Sequence, residues 1–303
     1  MNIQNLSATF NSPFINKLRK SVLLSQCERR LPSLQSDSVE LSNDAKLQLQ
    51  ANRIYSRSKK FTIDDYKSLT KLEKSILREA SKYSKNAAQE SLKVGLKVKE
   101  HLDKRYGENG YVFACIGTSP AGIARVLEFT GVETKYLPIS RLNWLKNVDA
   151  WKEHTDKFSN YEEFLKEQGL SKEQVSASDK EYLFYDYVQQ GMSLIVFEKM
   201  MKEYFGLDLP NVGFHNLNFL CYSSCAKNVE PPQYAIDYVD KYMDGSVIGQ
   251  FSGVSHLDIN EIDKIEECKQ YENLKAKMFN FNLIDMLSKQ GLLKENPLNA
   301  KSL

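Results

Sequence analysis

Small and hydroxyl-bearing residues follow directly after one strand-forming run. The six residues from Tyr111 to Ile116 are mostly apolar and typical of a strand buried on both faces. The segment Gly117 to Gly122 comes next, and apolar residues then recur at helical spacing as far as Phe129. Such a strand-to-helix turn lets backbone amides approach a ligand, and the amino terminus of the helix favours an anion. A turn that binds nothing fits the same residues, and the sequence leaves both interpretations open.

A second segment of this kind lies further along the chain. The run Glu181 to Val188 predicts a strand that carries an acidic residue, Asp186, near its carboxyl end. In the following turn, Gln189 to Leu194, the hydroxyl of Ser193 is predicted to cap the next helix and, with the loop amides, to bind a phosphate. Asp186 is placed to accept hydrogen bonds from a sugar diol. Because open α/β sheets bind ligands at the carboxyl edge of their strands, the segment predicts a ligand site there.

The elements around these segments are predicted from caps and apolar spacing. Thr62 with Asp65, and Thr70 with Glu73, match the capping-box pattern that begins a helix. Gly107 is predicted to end the helix that precedes the first strand. Helices are predicted near residues 44–55, over 87–106, through 196–205, over 233–243 and as a packing pair within 260–293, and further strands over 132–139 and 212–222.

The amino-acid composition makes several classes of protein unlikely for this chain. The 303 residues are 42% hydrophobic and 26% charged, with a net charge of +2, which is typical of an average soluble chain and gives no electrostatic reason to expect DNA binding. The 14 Gly and 8 Pro are too few for an all-β sandwich with many short turns. No apolar run approaches the roughly 18 residues of a membrane-spanning helix, so no transmembrane insertion is expected.

The cysteines, Ser119 and His215 give weaker indications of a functional site. The five cysteines are scattered and odd in number, which is typical of reduced thiols and lacks the spacing of a zinc site. Ser119 lacks the Gly-x-Ser-x-Gly frame of a serine hydrolase. His215 lies on a predicted strand and is interpreted as a structural histidine.

The order of these segments resembles the type I phosphoribosyltransferases, over about residues 108–225. Leu183 to Leu194 is similar to the family's acidic pair and phosphate loop, with Tyr185 in place of the first acid and Gln190 in place of the first loop threonine. The Gly117 to Gly122 turn corresponds in position to the loop that contacts pyrophosphate. Arg141 to Asp179 stands where the family has a flexible catalytic loop, although this segment looks helical, with Asn160 predicted to cap the run from Tyr161.

The resemblance implies an α/β fold, with a parallel-sheet core flanked by helical amino- and carboxyl-terminal segments. It implies binding of phosphoribosyl pyrophosphate or a nucleotide, glycosyl transfer at the ribose, and Mg²⁺ beside the pyrophosphate, with no metal-ligand cluster of protein side chains. Because one acid of the pair is missing, it also implies altered or lost transferase activity. The residues it places in the site are Asp186 in the catalytic role, with Gly117, Thr118, Ser119, Ala121, Gln189, Gln190, Gly191, Met192 and Ser193 against the ligand.

The amino-terminal residues 1–27 contain no Asp or Glu and are rich in Ser and Asn. They fit a polar tail, and they also resemble the leaders of bacterial type III secreted effectors. The first interpretation predicts a cytoplasmic protein. The second predicts secretion into a host cell, a host protein as partner, and an α/β core that serves as a scaffold without catalysis. The predicted organisation is a polar leader and linker over residues 1–60 and one domain over 61–303, divided into a helical lead-in (61–107), the core (108–225) and a helical carboxyl-terminal part (226–303).

Overall fold

The computed structural model describes residues 42–140, 142, 145, 147–186, 192–217, 257–265 and 273–294. The chain divides into two compact units, residues 1–51 and residues 52–303, and the sheet lies in the second. The helix predicted over residues 233–243 and the turn residues Gln189, Gln190 and Gly191 lie outside the described residues.

The helices before the sheet follow the sequence signals closely. They are α1 (Asn43–Tyr55), α2 (Ile63–Ser68), α3 (Lys71–Ala80) and α4 (Lys85–Tyr106). Both predicted capping boxes are confirmed, because Thr62 and Thr70 each accept from the amide of the acid three residues later, whose carboxylate binds back to the cap amide. Gly107 ends α4 with a φ of 81°, as expected for a glycine after a helix.

The strands form a parallel sheet, as the buried apolar runs predict. They are β1 (Tyr111–Ile116), β2 (Thr134–Leu137), β4 (Glu181–Asp186) and β5 (Val212–Asn216), in the order β2-β1-β4-β5, and the short strands β3 (Ile139–Ser140) and β6 (Leu257–Asp258) pair separately. The predicted strand over 132–139 is thus two strands separated by Pro138, which has no amide hydrogen for a ladder. The described structure confirms the α/β class with a parallel sheet.

The connecting helices cover both faces of the sheet. α5 (Ala121–Phe129) joins β1 to β2, and α8 (Met192–Glu203) joins β4 to β5. α6 (Ser159–Glu167) and α7 (Lys172–Ser176) lie between β3 and β4, and α9 (Leu274–Lys289) follows β6. α4 and α5 share one apolar cluster with the odd-numbered residues of β1, and α6 to α8 share the other with its even-numbered residues. Each face of β1 therefore packs against helices, which explains why all six of its residues are buried.

The segment between β3 and β4 is part of the core. A 3-10 helix (Ala150–Lys157) precedes α6, and Trp151, Phe158 and Tyr161 are buried among the residues of the α8 face. The predicted helical character of this segment is confirmed within residues 147–179, which hold the 3-10 helix, α6 and α7. The predicted cap at Asn160 is wrong: α6 begins one residue earlier, and the Asn160 side chain donates to the carbonyl of Asp263 at 2.7 Å.

A buried carboxylate fixes the carboxyl-terminal helix α9 to the lead-in. Asp285 accepts hydrogen bonds from Tyr66 at 2.9 Å and from Arg78 at 2.7 Å. Burial by itself raises the pKa of this carboxyl, but the hydrogen bonds from Arg78, Lys289 and Tyr66 outweigh it and lower the pKa to about 2. The predicted packing pair within residues 260–293 is a 3-10 helix (Ile259–Lys264) and α9, and most of α9 is buried.

Candidate functional site

The two predicted segments meet where the sheet changes direction. The chain leaves β1 through α5 toward β2, and it leaves β4 through α8 toward β5 on the other side. α5 and α8 belong to opposite faces of the sheet. Because the two connections diverge, the carboxyl ends of β1 and β4 lie at a switch point of the sheet, the position at which open α/β sheets form a ligand-binding crevice.

The turn after β1 is built closely around Gly117. Its φ is +67°, a region that residues with a side chain rarely adopt, and a Cβ on it would lie 3.0 Å from the carbonyl oxygen of Ile139. Its amide donates to Leu137 at 2.8 Å, and the amide of Ala121 donates to the carbonyl of Thr118 at 3.2 Å. The turn therefore packs closely against the chain that connects β2 to β3.

The side chains of this turn differ in exposure. Thr118 and Ser119 are half-buried, while Pro120 and Ala121 are buried. No side chain caps α5, so its amino terminus offers only backbone groups at this edge. Gly122, which the sequence placed in the turn, is a buried residue of α5. Thr118 and Ser119 are the side chains of this turn that retain access to the crevice.

The turn after β4 begins at Asp186 and ends at the start of α8. Asp186 is the last residue of β4 and is half-buried. Because α8 begins at Met192, Ser193 is the second residue of the helix, so its predicted place at the cap is wrong. Amides in the first turn of a helix lack partners within the helix, so the backbone of Met192 and Ser193 keeps the predicted capacity to bind an anion.

One residue before this edge, Cys115, Tyr185 and His215 are paired across β1, β4 and β5, and we call these three side chains the buried row. Cys115 and Tyr185 are buried, whereas His215 is half-buried as a residue but has both ring nitrogens buried. Tyr185 is fully buried, and its ring stacks on Phe113 at 4.8 Å. Burial raises the pKa of its hydroxyl well above the ordinary value, and no atom of the described residues makes a hydrogen bond to it. Tyr185 therefore takes the place of the first acid in the sequence without lining the crevice.

His215 continues the buried row on β5. Its ring centroid lies 5.1 Å from that of Tyr185. Burial, together with the positive charge of Arg105, lowers its pKa to about 4. A neutral imidazole packed on an aromatic ring fits the predicted structural histidine.

Cys115 completes the buried row on β1. Its thiol donates to the carbonyl of Gly117 at 3.5 Å. Burial, and then the negative charge of Asp186, raises the pKa of the thiol well above its ordinary value. A thiol held in this state is unreactive, since the thiolate is the nucleophile.

The structure adds a residue that the sequence did not place in the site. Asn216 is the last residue of β5 and is paired with Asp186, and the amide of Leu217 donates to the carbonyl of Asp186 at 2.9 Å. We call Asp186 and Asn216 the edge row. The sequence predicted a strand as far as Tyr222, which put the strand end six residues too late. The signal available for an earlier end was the polar pair His215 and Asn216 directly after the apolar run.

The described residues contain no group of three or more His, Cys, Asp or Glu able to hold a metal ion. Mg²⁺ is commonly bound through one or two carboxylates together with the phosphates of a substrate. The carboxylate of Asp186, at the end of β4, is the type of side chain that binds Mg²⁺ in this way. No helix within the described ranges is long and apolar enough to span a membrane. Comparisons with models of known protein families, with curated proteins and with solved structures found no match to this chain.

Proposed function

We propose that the crevice binds a phosphorylated ribose, either phosphoribosyl pyrophosphate or a nucleotide. The observation that carries the proposal is that β1 and β4 end side by side at the switch point of the sheet, with the half-buried carboxylate of Asp186 at the end of β4. The resemblance of Leu183 to Leu194 to a phosphoribosyltransferase phosphate loop supports the same ligand.

Each group in the crevice has a role in such a complex. Asp186 accepts hydrogen bonds from the ribose hydroxyls, the amides at the start of α8 bind the 5′-phosphate, and the turn from Gly117 to Ala121 faces the pyrophosphate. Gln189, Gln190 and Gly191 are predicted to complete the phosphate loop. Mg²⁺, when bound to the pyrophosphate, neutralises part of its charge.

The transferase reaction is a substitution at the anomeric carbon. The bond from this carbon to the pyrophosphate oxygen breaks, the acceptor forms the new bond, and the pyrophosphate leaves with the electron pair. Backbone amides of the Gly117 turn stabilise the departing charge. Tyr185 in place of an acid removes one ribose ligand that the family uses, so transfer is expected to be slow or lost while binding remains.

Calorimetry with phosphoribosyl pyrophosphate and Mg²⁺ tests the binding. We expect heat of binding for the wild-type protein and a weakening of about 10- to 100-fold in Asp186→Asn, since a hydrogen bond to a charged group contributes roughly 1.5–3 kcal/mol. Asn86→Ala, at an exposed position in the first turn of α4, is the matched control and is expected to bind like the wild type. No heat at millimolar ligand would refute the proposal.

A second candidate function is supported by the composition of the leader. Residues 1–27 lack Asp and Glu, as expected for an effector delivered by a type III secretion system, in which the α/β core is a scaffold for a host partner. A reporter fused to residues 1–60 is expected to leave a bacterium that has the secretion apparatus and to stay inside a strain that lacks it. Retention in both strains would exclude this candidate.

A further inference from the structure

The exposed charged side chains of the protein are segregated between two sides of the sheet. Residues 52–107, which hold the end of α1 and the helices α2 to α4, contain 15 Lys and Arg against 7 Asp and Glu. Of these side chains, 12 basic ones and 3 acidic ones are exposed. We call the exposed residues of this range the basic surface. Its excess of positive charge is large for a chain whose net charge is only +2.

The other side of the sheet has the opposite balance of charge. Residues 147–179 and 257–265 expose 10 acidic side chains and 4 basic ones. The helices of these two ranges bury their apolar residues in the cluster that α6 to α8 share. α2 and α3 instead contact α9, which contacts α4 and α5 on the opposite side. The near-neutral total therefore hides a molecule that is basic on one side and acidic on the other.

Several charges of the basic surface are not neutralised by a neighbour. Some of its side chains are paired, such as Arg57 with Glu73 at 2.5 Å. Five exposed lysines form no ion pair with any described residue: Lys60, Lys71, Lys85, Lys93 and Lys104. Lys93 and Lys104 are three helical turns apart and so lie along one line of α4, which also exposes one acid, Glu100. The uncompensated lysines attract an anionic partner.

We propose that the basic surface binds an anionic membrane. A negatively charged lipid surface attracts basic residues that are spread over several helices, and each Lys or Arg close to the lipid strengthens the binding. Leu72 is 70% exposed, more than any other large hydrophobic side chain that the structure describes, and it follows Lys71 directly. An exposed apolar residue among basic ones is typical of a surface that binds at the boundary between lipid headgroups and acyl chains. The acidic side of the sheet then faces away from the lipid.

A nucleic acid fits the basic surface less well. Proteins that bind single strands stack the bases on aromatic side chains. None of the Tyr and Phe side chains in residues 52–107 is exposed. The basic surface therefore offers positive charge and an apolar side chain, but no aromatic platform for a base. It is a different surface from the crevice, and its role does not depend on the ligand proposed there.

Sedimentation of the full chain with lipid vesicles tests the proposal. Vesicles of phosphatidylcholine with about 30% phosphatidylserine carry the anionic surface, and vesicles of phosphatidylcholine alone are the neutral control. We expect binding to the anionic vesicles to be at least about tenfold tighter than to the neutral ones. This binding is expected to be largely lost when the salt concentration rises from about 0.1 M to 1 M, since the Debye length falls from about 10 Å to 3 Å. Equal binding to both kinds of vesicle, or binding to neither, would overturn the proposal.

Paired charge reversals locate the binding on the molecule. Lys93→Glu combined with Lys104→Glu is expected to weaken binding to the anionic vesicles about tenfold or more. Lys166→Glu combined with Lys172→Glu is the matched control, because both lysines are exposed on the acidic side, form no ion pair with a described residue, and change the net charge equally. This control is expected to change the affinity by less than about threefold, since its charges lie further than a Debye length from the lipid. Leu72→Ser is expected to weaken binding about threefold, because it removes the exposed apolar side chain.

Two results with these variants would refute the proposal. Equal weakening by the two pairs of reversals would show that binding follows the net charge and not the basic surface. Tighter binding to duplex RNA than to anionic vesicles, lost in the variant with Lys93→Glu and Lys104→Glu, would assign the basic surface to a nucleic acid instead.

Discussion

The buried row and the edge row are one residue apart on the same strands, yet their side chains have opposite roles. In the buried row, Tyr185 and His215 pack against each other and against the aromatic residues of one face, and burial keeps both uncharged. In the edge row, Asp186 and Asn216 are the last residues of β4 and β5, and both are half-buried. A shift of one residue along a strand reverses the face to which a side chain points, so the position decides the role more strongly than the residue type does.

This comparison explains the substitution of Tyr for the first acid. A carboxylate at position 185 would lie beside Phe113 inside an apolar cluster, and burying a charge in such surroundings is costly. Tyr185 instead fills the space with an aromatic ring.

The largest expected effect comes from placing an acid in the buried row. Tyr185→Asp is expected to lower the free energy of unfolding by about 4 kcal/mol, because it removes a buried ring and introduces a buried carboxylate. Urea denaturation measures the loss. Tyr185→Phe is the control and is expected to stay within about 1 kcal/mol of the wild type, since its hydroxyl has no described hydrogen-bond partner. Equal stability of Tyr185→Asp and Tyr185→Phe would contradict the assignment of this side chain to the core.

A smaller effect is expected from the pH dependence of the buried row. The folded pKa of His215 is about 4, below its ordinary value of 6.5, so the unfolded chain takes up a proton first as the pH falls. Stability is therefore complete above pH 6.5 and is lost progressively between pH 6.5 and 4, by about 2–3 kcal/mol from this group. Denaturation at several pH values, for wild type and His215→Phe, measures the difference.

His215→Phe keeps a ring against Tyr185 and is expected to show a flatter profile over this interval. The carboxyl of Asp285, whose pKa is about 2, acts in the separate interval below pH 3.8 and leaves the comparison undisturbed. Parallel profiles for the two proteins between pH 6.5 and 4 would show that His215 is charged in the folded state, contrary to its place in the buried row.

The smallest difference is expected between two glycines with positive φ. Gly107→Ala introduces a strained φ in open space, at a cost of about 1 kcal/mol, whereas Gly117→Ala also forces a Cβ to within 3.0 Å of the Ile139 carbonyl. Gly117→Ala is therefore expected to cost about 1 kcal/mol more than Gly107→Ala in thermal or urea denaturation. If both substitutions lower the free energy of unfolding equally, the Ile139 carbonyl can move away from the new Cβ at little cost. That result would mean that Ile139 does not pack closely on the Gly117 turn.

Local chemistry made much of the fold predictable. The capping boxes at Thr62 and Thr70, the helix end at Gly107 and the buried strands β1 and β4 depend on neighbours within a few residues, and all are found where they were predicted. The cap at Asn160 failed because a partner distant in sequence, the carbonyl of Asp263, takes its side chain.

The site was predictable only in part. The two βα turns and Asp186 follow from strand runs and small residues, and they meet because parallel strands end at a common edge. The exclusion of Tyr185 depends on which face of β4 it occupies, and the addition of Asn216 depends on where β5 ends. Neither depends on the immediate sequence, because both are set by the pairing of β4 with β5.

The sequence by itself determined the α/β class, the strand-to-helix turns and the acidic residue between them, because alternating apolar patterns and turn residues act locally. The tertiary structure decided which of two consecutive residues, Tyr185 or Asp186, borders the crevice. It also decided that Asn216 stands beside Asp186 and that the segment before β4 packs into the core. Strand register and long-range packing fix these features, and residues far apart in the chain must come together before either exists.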